Sequence, residues 1–218
     1  MNAQKEPQKN TPHRPTIGVL VDSIISGYQT TLWRALQHAA IQHDVNLLCF
    51  IGKEIDLQPG LVQQANTIYR LATANTLDGI IMLSGTIVRR IDVAQTEDFI
   101  NQLRPLPIVS IAMEIEQVPS ILLDDHQGIH DIMEHLINTH NCQKIGFIQG
   151  PEGHTGSDAR FRAYKDALEK HNILFDANLV AKVPEGDVHE QAEAAIKLLY
   201  DERKASPEAI VVANDSLA

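Results

Sequence analysis

The chain has 218 residues, 44% of them hydrophobic, which is enough for one large or two small domains with buried cores. Its formal net charge is −10, it has no basic run, and no apolar run approaches the ~18 residues of a membrane span. These features argue against binding to a nucleic-acid backbone or to a membrane. Cys49 and Cys142 lack a CxxC or metal-type spacing, which favours free thiols in a reduced, cytoplasmic protein.

The first half of the chain alternates apolar runs with helical patterns. Residues 1–14 are polar and predict a flexible tail. Thr16 to Val21 is nearly continuous in apolar residues, as expected for a parallel strand buried on both faces, and the loop 22–27 leads into a helix. Further strands are predicted at 45–51, 77–83, 107–112 and 120–123, and helices at 61–71 and 93–103.

The second half repeats this alternation. A helix is predicted at 125–140, and the stretch 144–164 reads as a strand, a polar glycine-rich loop and a helix that Asp158 would cap. Two further strands are predicted at 179–183 and 209–213, with a helix between them. This order of elements predicts an α/β fold with parallel sheets flanked by helices.

A short internal repeat indicates two similar lobes. Ile17-Gly18-Val19-Leu20 and Ile145-Gly146-Phe147-Ile148 share one form, and each leads through a polar loop into an amphipathic helix, although four residues can also match by chance. We predict an N-terminal lobe at 15–123 and a C-terminal lobe at 124–218, with loops at the carboxyl ends of both sheets facing a ligand cleft. Because the chain stops just after a strand, we expect the second lobe to be truncated.

Arg160 is the first candidate for a ligand contact. At ~100° per residue, Arg162 points away from the apolar stripe of its helix, whereas Arg160 lies in the first turn on the Tyr164 side. A guanidinium at the mouth of a cleft offers forked donors to hydroxyls or carboxylates. The structural alternative is an ion pair with Asp158 or Glu152.

The other candidate ligand residues come after predicted strands, where a parallel sheet presents its loops. They are Asp22, Ser26 and Tyr28 after the first strand, Ser84 after the third, His154 in the glycine-rich loop, and Asn214 and Asp215 after the last strand. Tyr28 would either stack on a ligand ring or pack in the core. Asp215 would accept hydrogen bonds from a ligand, cap a helix, or do both.

Motifs for covalent or metal-assisted catalysis are absent. The sequence contains neither GxSxG nor HExxH. His126, His130 and Glu134 share one side of a helix at a spacing that could hold a metal, but a solvated helix flank explains them better. We therefore expect no catalytic residue, no metal and no cofactor.

The glycine-rich loop leaves one enzymatic alternative. Gly150, Gly153 and Gly156 form GxxGxxG between a strand and a helix, which matches neither GxGxxG nor GxxxxGK[ST]. Backbone amides there could nevertheless cradle an anion. The alternative function is an enzyme that binds a phosphorylated substrate through the 150–156 loop.

Several motifs, weak alone, together resemble one known family. They are Thr16-Ile-Gly-Val-Leu-Val21, Asp78-Gly-Ile-Ile81, Ile121-Leu-Leu-Asp-Asp125, His135-Leu-Ile137 through Lys144-Ile-Gly-Phe-Ile148, Ala159-Arg-Phe-Arg-Ala-Tyr164 and Ala213-Asn-Asp-Ser-Leu-Ala218. In this order they are similar to the effector-binding domain of LacI/GalR-type regulators, which has the type I periplasmic-binding-protein fold. The resemblance implies a homodimer and a small polar ligand of sugar or nucleoside type that closes two lobes. Arg160 and Asp215 match positions that hold this ligand, with Asn214 beside them.

Three departures from the family pattern affect the predicted function. Asp124-Asp125 stands where Asp-Asn is usual, and we interpret this change as without central effect. Residues 1–14 are too few for the family's DNA-binding headpiece, so we expect no direct nucleic-acid contact by this chain. The last part of the family's domain is also absent. The chain would be a cytoplasmic sensing domain, either of a LacI-type regulator or of a histidine kinase or diguanylate cyclase protein with its output module beyond Ala218.

Overall fold

Two compact units make up the chain. The computed structural model describes residues 13–25, 27–55, 64–88, 91–150, 155–182 and 188–218. The first unit extends to Ile111 and includes Gln117–Pro119, and the second contains Ala112–Glu116 and Ser120–Ala218. The chain thus passes from one unit to the other within residues 112–120, shortly before the boundary predicted at 123–124.

The first unit is built on a parallel sheet. Its elements are β1 (Thr16–Val21), α1 (Gly27–Gln42), β2 (Asn46–Ile51), a 3₁₀ helix (Asn66–Leu71), β3 (Gly79–Met82), α2 (Ser84–Ile87), α3 (Val93–Leu103) and β4 (Ile108–Ile111). The strand order is β2-β1-β3-β4, followed by the two-residue strand β5 (Ser120–Ile121), and the pairs β1–β2, β1–β3 and β3–β4 are parallel. The predicted alternation of strands and helices is confirmed for this unit.

Strand β1 forms the centre of the first core. Val19, Leu20 and Val21 are all buried, as the continuous apolar run predicts. Successive strand residues point to opposite faces, so Val19 and Val21 share one face. On that face they pack with Leu83 against the apolar stripe of α1, which includes Trp33.

The second unit has a three-stranded parallel sheet with helices on both faces. Its elements are α4 (Asp125–Asn138), β6 (Ile145–Gln149), α5 (Thr155–Lys170), β7 (Val180–Lys182), α6 (Val188–Lys197) with a π-helical turn at Leu198–Glu202, and β8 (Ala209–Val212). The strand order is β7-β6-β8. One core cluster joins α4 and α5 to Phe147 of β6, and another joins α6 to Ile148, the next residue along the strand.

The internal repeat marks equivalent places in the two sheets. Strand β1 lies between β2 and β3, and β6 lies between β7 and β8, so each copy of the repeat is a central strand. Gly18 and Gly146 are both closely packed: a Cβ on Gly18 would lie 2.6 Å from Leu77 Cδ1, and one on Gly146 would lie 3.3 Å from Pro207 Cβ. Repetition of Ile-Gly-apolar-apolar therefore reflects repeated packing at the centre of each sheet.

Several predicted boundaries are wrong. Asp158 is not a helix cap, because α5 already begins at Thr155 and places Asp158 in the first turn. Gly156 therefore belongs to the helix rather than to a loop. Helix α4 ends at Asn138 instead of 140, and the short helix α2 was not predicted. Within the described residues, no helix is both long enough and apolar enough to cross a bilayer.

Candidate functional site

Arg160 connects three elements at the carboxyl end of the second sheet. Its Nε and Nη2 donate to Oδ1 of Asp125, at 2.9 and 2.7 Å, and its Nη1 donates to the carbonyl oxygen of Ala213 at 2.6 Å. The arginine in α5 is thereby tied to the start of α4 and to the residue that follows β8. The Arg160 and Asp125 side chains are 25% and 19% exposed, so the pair is largely withdrawn from solvent.

The observed ion-pair partner of Arg160 differs from the two predicted ones. Asp125 takes the place predicted for Asp158 or Glu152, of which Glu152 lies outside the described residues. The orientation is as helical geometry predicts, since Arg160 is half-buried and Arg162 is exposed. Because Asp125 contacts the arginine directly, the replacement of Asp-Asn by Asp124-Asp125 does bear on the site, contrary to our interpretation from the sequence.

The start of α4 holds Asp125 in position. The neighbouring Asp124 is the N-cap, and its side chain accepts a hydrogen bond from the backbone N–H of Gln127 at 2.9 Å. Asp125 is the first residue of the helix, where the positive end of the helix dipole stabilises a carboxylate. The N-cap and the helix dipole thus stabilise the Asp125 carboxylate at the position where it contacts the Arg160 guanidinium.

Gln149, at the end of β6, has a side-chain oxygen that accepts no hydrogen bond from the described residues. The side chain is only 5% exposed, and its Nε2 donates to Asp158 Oδ1 at 3.4 Å. A carboxylate can only accept, which sets the orientation of the amide. The Oε1 atom is buried and has no hydrogen-bond partner among the described residues. A buried acceptor of this kind normally receives a hydrogen bond, so a donor from a ligand or a water fits there.

Asn214 and Asp215 follow β8, beside the carbonyl that Arg160 contacts. The Asn214 Oδ1 accepts the backbone N–H of Leu217 at 3.2 Å and so caps the 3₁₀ turn Asp215–Leu217. The cap is therefore Asn214 rather than Asp215, whose side chain is exposed. We call Asp125, Gln149, Asp158, Arg160 and Asp215 the Arg160 surface.

The candidates in the first unit have different environments. Asp22 accepts hydrogen bonds from Gln29 Nε2 at 3.3 and 3.4 Å. Tyr28 is 43% exposed, so it is not a core residue. Ser84 is fully buried and its hydroxyl accepts from Ser110 Oγ at 2.7 Å, which does not favour a direct ligand contact. Ser26 lies outside the described residues, and so does His154, the candidate in the glycine-rich loop after β6.

The histidine-rich side of α4 packs against α5 instead of facing solvent alone. Glu134 accepts from Lys170, the last residue of α5, at 2.9 Å, from the following His171 at 2.7 Å, and from Asn138 at 2.7 Å. Chiefly through the Lys170 ammonium, these contacts lower the pKa of Glu134 from 4.5 to about 2. His126 lies 3.4 Å from Asp166. The residues that the structure describes contain no group of three or more side chains suited to a metal ion.

A cavity of about 420 Å³ lies in the first unit between the 3₁₀ helix and α3. Its lining includes Tyr69, Arg70 and Phe99, and none of the predicted ligand residues in the described part of the chain lines it. Tyr69 is buried and donates to the carbonyl oxygens of Val21 and Lys53, and burial raises its pKa. This tyrosine therefore has a structural role.

The structure thus brings Arg160, Asn214 and Asp215 to one end of the second sheet, and it adds two residues that were not among the predicted ligand residues. Asp125 is 35 positions from Arg160, so no local pattern connects them. Gln149 did carry a signal, because it is a polar residue ending the buried apolar strand Ile145–Gln149. A polar residue at the carboxyl end of a parallel strand is a recognisable candidate for ligand contact.

A known family matches the chain over almost its whole length. The family model described as periplasmic binding proteins and sugar binding domain of the LacI family matches residues 14–218. Catabolite control protein A of Priestia megaterium is 27% identical over 212 residues, which are 93% of this chain and 57% of that protein. The chain spans about half the length of the curated relatives it matches.

Solved structures share the fold. A LacI family transcriptional regulator from Mycobacterium smegmatis has a TM-score of 0.74 at 23% identity, covering 93% of this chain and 69% of that one. A complex of the transcriptional regulator CelR with cellobiose has a TM-score of 0.72 at 20% identity, covering 94% and 61%. These identities establish the fold alone, whereas the family match extends over the sequence. The chain belongs to the family of periplasmic binding proteins and LacI-type sugar-binding domains.

Proposed function

We propose that this chain is the ligand-sensing domain of a transcriptional regulator and that it binds a small, hydroxyl-rich ligand of sugar or nucleoside type at the Arg160 surface. One observation carries the proposal: a largely buried arginine and a buried glutamine oxygen that accepts no hydrogen bond from the described residues lie at the carboxyl end of the same parallel sheet. Ligands of open parallel sheets bind at this end.

The chemistry of the surface supports a polyhydroxylated ligand. Arg160 donates three hydrogen bonds within the protein, and a guanidinium carries five N–H groups, so donors remain for ligand oxygens. Asp158, Asp215 and the Gln149 oxygen offer acceptors. A hydroxyl group both donates and accepts, so a sugar or a ribose can satisfy both sets. The family description and the cellobiose held by CelR support the same ligand class.

The relatives support a regulatory rather than an enzymatic output. They include a catabolite control protein and a ribose operon repressor. A sensing domain acts by shifting an equilibrium, and a ligand can shift it only by its differential affinity for the two states. We propose that these states differ in lobe closure and that the domain works as a cytoplasmic homodimer in a longer, DNA-binding protein. The relatives favour this arrangement over a histidine kinase or cyclase protein.

A thermal-shift panel of sugars and nucleosides tests the proposal. Stabilisation by a ligand grows with its concentration relative to Kd, so a true ligand raises Tm in a saturable way. We expect Arg160→Ala to weaken binding of that ligand at least ~10-fold, because it removes charged donors from the surface. Arg162→Ala, on the exposed side of the same helix, is the matched control and should bind as the parent does.

Arg160→Lys is the second variant, which tests the assignment even if Arg160→Ala does not fold. It keeps the positive charge near Asp125 but loses the planar fork, so it should fold and still bind weakly. Unfolding midpoints by circular dichroism would show that each variant is folded. Unchanged affinity in folded Arg160→Ala and Arg160→Lys would disprove the assignment.

A further inference from the structure

We propose that Asp125 makes the Arg160 surface selective for uncharged ligands over phosphorylated or carboxylated ones. This inference rests on the proposed function and names the charge class of the ligand. It concerns Asp125 as a residue that determines specificity through Arg160.

The guanidinium of Arg160 is already neutralised within the protein. Two of its nitrogens donate to one carboxylate oxygen of Asp125 at 2.7 and 2.9 Å, and both side chains are largely withdrawn from solvent. Partial burial lowers the local dielectric and strengthens this attraction relative to an exposed pair. An anionic ligand would therefore meet an arginine whose charge is already compensated.

The rest of the surface carries negative charge and unused acceptors. Asp158 and Asp215 are carboxylates, and no Lys or Arg in the described part of the chain pairs with either of them. The buried Oε1 of Gln149 adds an acceptor that receives no hydrogen bond from the described part of the chain. A phosphate ester ionised at neutral pH brings acceptor oxygens and negative charge, whereas a hydroxyl brings a donor. The surface therefore favours the uncharged, donating ligand.

Replacing Asp125 by Asn isolates this effect. Asparagine has nearly the same shape, and its amide oxygen can still accept from Arg160, but it leaves the guanidinium charge uncompensated. The freed charge lies in the N-terminal part of the 16-residue helix α5, and both the charge and the helix dipole attract anions. Asp125→Asn should therefore shift binding toward anions with little change in shape.

Asp124→Asn is the matched control. It removes the same charge from the adjacent residue, which has no hydrogen bond to Arg160 among those of the described residues. Asn is as good an N-cap as Asp, so α4 should remain intact. Any effect that Asp125→Asn has and Asp124→Asn lacks is due to the contact with Arg160 rather than to net charge.

The experiment measures paired affinities for the parent chain and both variants by calorimetry at neutral pH and low salt. The probes are ribose and ribose 5-phosphate, glucose and glucose 6-phosphate, adenosine and adenosine monophosphate, and inorganic phosphate. We expect the parent to bind one uncharged member at least ~10-fold tighter than its ester. In Asp125→Asn this ratio should move about tenfold or more toward the ester, and in Asp124→Asn it should stay within about threefold.

The outcomes separate the inference from the function on which it rests. A parent that prefers the ester, an unchanged ratio in Asp125→Asn, or an equal shift in Asp124→Asn would each overturn the inference while leaving an Arg160-dependent ligand in place. Absence of binding by every probe, in all three proteins, would count against the proposed ligand class and against the inference with it.

Discussion

For the residues of the Arg160 surface, local helix geometry predicts the direction of a side chain but not its partner. Helical geometry alone distinguishes Arg160 from Arg162 correctly, because the direction of a side chain depends only on its place in the helix. The partner of Arg160 could not be obtained in this way, since Asp125 is 35 positions away and is brought near by the packing of α4 on α5. Candidate residues are therefore easier to predict than their contacts.

Tyr164 illustrates a buried polar group whose role is structural. It is fully buried on α5, and its hydroxyl donates to the carbonyl oxygen of Ile145 at 2.8 Å. Burial raises its pKa to about 12, so the hydroxyl keeps its proton and stays a donor at physiological pH. We expect Tyr164→Phe to lower the free energy of unfolding by about 1–3 kcal/mol, because it removes a buried hydrogen bond. Urea titration measures this loss.

Tyr200→Phe is the control for this prediction. Its hydroxyl also donates to a backbone carbonyl, that of Pro207 at 3.2 Å, but the side chain is 40% exposed. Water can replace the lost donor there, so the loss should be smaller than for Tyr164→Phe. Equal losses in the two variants would contradict the argument from burial.

At the scale of elements, the α4–α5 pair combines an apolar interface with an ionic network. Ile129, Met133 and Ile137 of α4 pack in the same cluster as Ala163 and Tyr164 of α5. The histidine-rich side of α4 was predicted to be a solvated flank, but α5 supplies partners for it. That contact depends on tertiary packing, which a helical repeat within one segment does not encode.

This network predicts a pH dependence of stability. The folded-state pKa of Glu134 is about 2, below its ordinary value of 4.5, because Lys170 and His171 stabilise the carboxylate. A lowered pKa contributes stability above the unfolded-state value, and this contribution is lost as the pH falls from about 4.5 through 2. We expect Glu134→Gln to lower the urea midpoint relative to the parent above pH 4.5, and the difference to shrink toward pH 2.

The control for the pH series is Glu169→Gln. Glu169 is an exposed carboxylate of α5, and in the described part of the chain it forms no ion pair. Its removal should leave the difference between high and low pH close to that of the parent. A constant difference between Glu134→Gln and the parent from pH 2 to 6 would argue against the ionic role of Glu134.

The sequence predicts the boundaries of some elements better than those of others. Strand β1 has the predicted limits because its apolar run is continuous and bounded by polar residues. Asp158 resembles a helix cap in the sequence, but α5 begins three residues earlier, at Thr155. The sequence pattern does not predict the π-helical turn at Leu198–Glu202, which directly follows α6.

At the scale of the whole molecule, the fold was predictable because it rests on alternation of strand and helix along the chain. The parallel sheets, their central repeated strands and the family match confirm that prediction. The site was less predictable because it combines side chains from the consecutive elements α4, β6 and α5 with the distant end of β8, and only tertiary packing brings them together. The chemistry of the site therefore depends on charges that only the fold brings together.

The most direct test of the central claim is a ¹H–¹⁵N NMR titration of the chain with the uncharged sugar or nucleoside that gives the largest thermal shift. We predict that the Arg160 Nε–H and the Gln149 side-chain amide resonances shift saturably with the ligand, because both groups lie on the Arg160 surface. Saturable shifts confined to Tyr69, Arg70 and Phe99, which line the separate cavity of the first unit, would contradict the account.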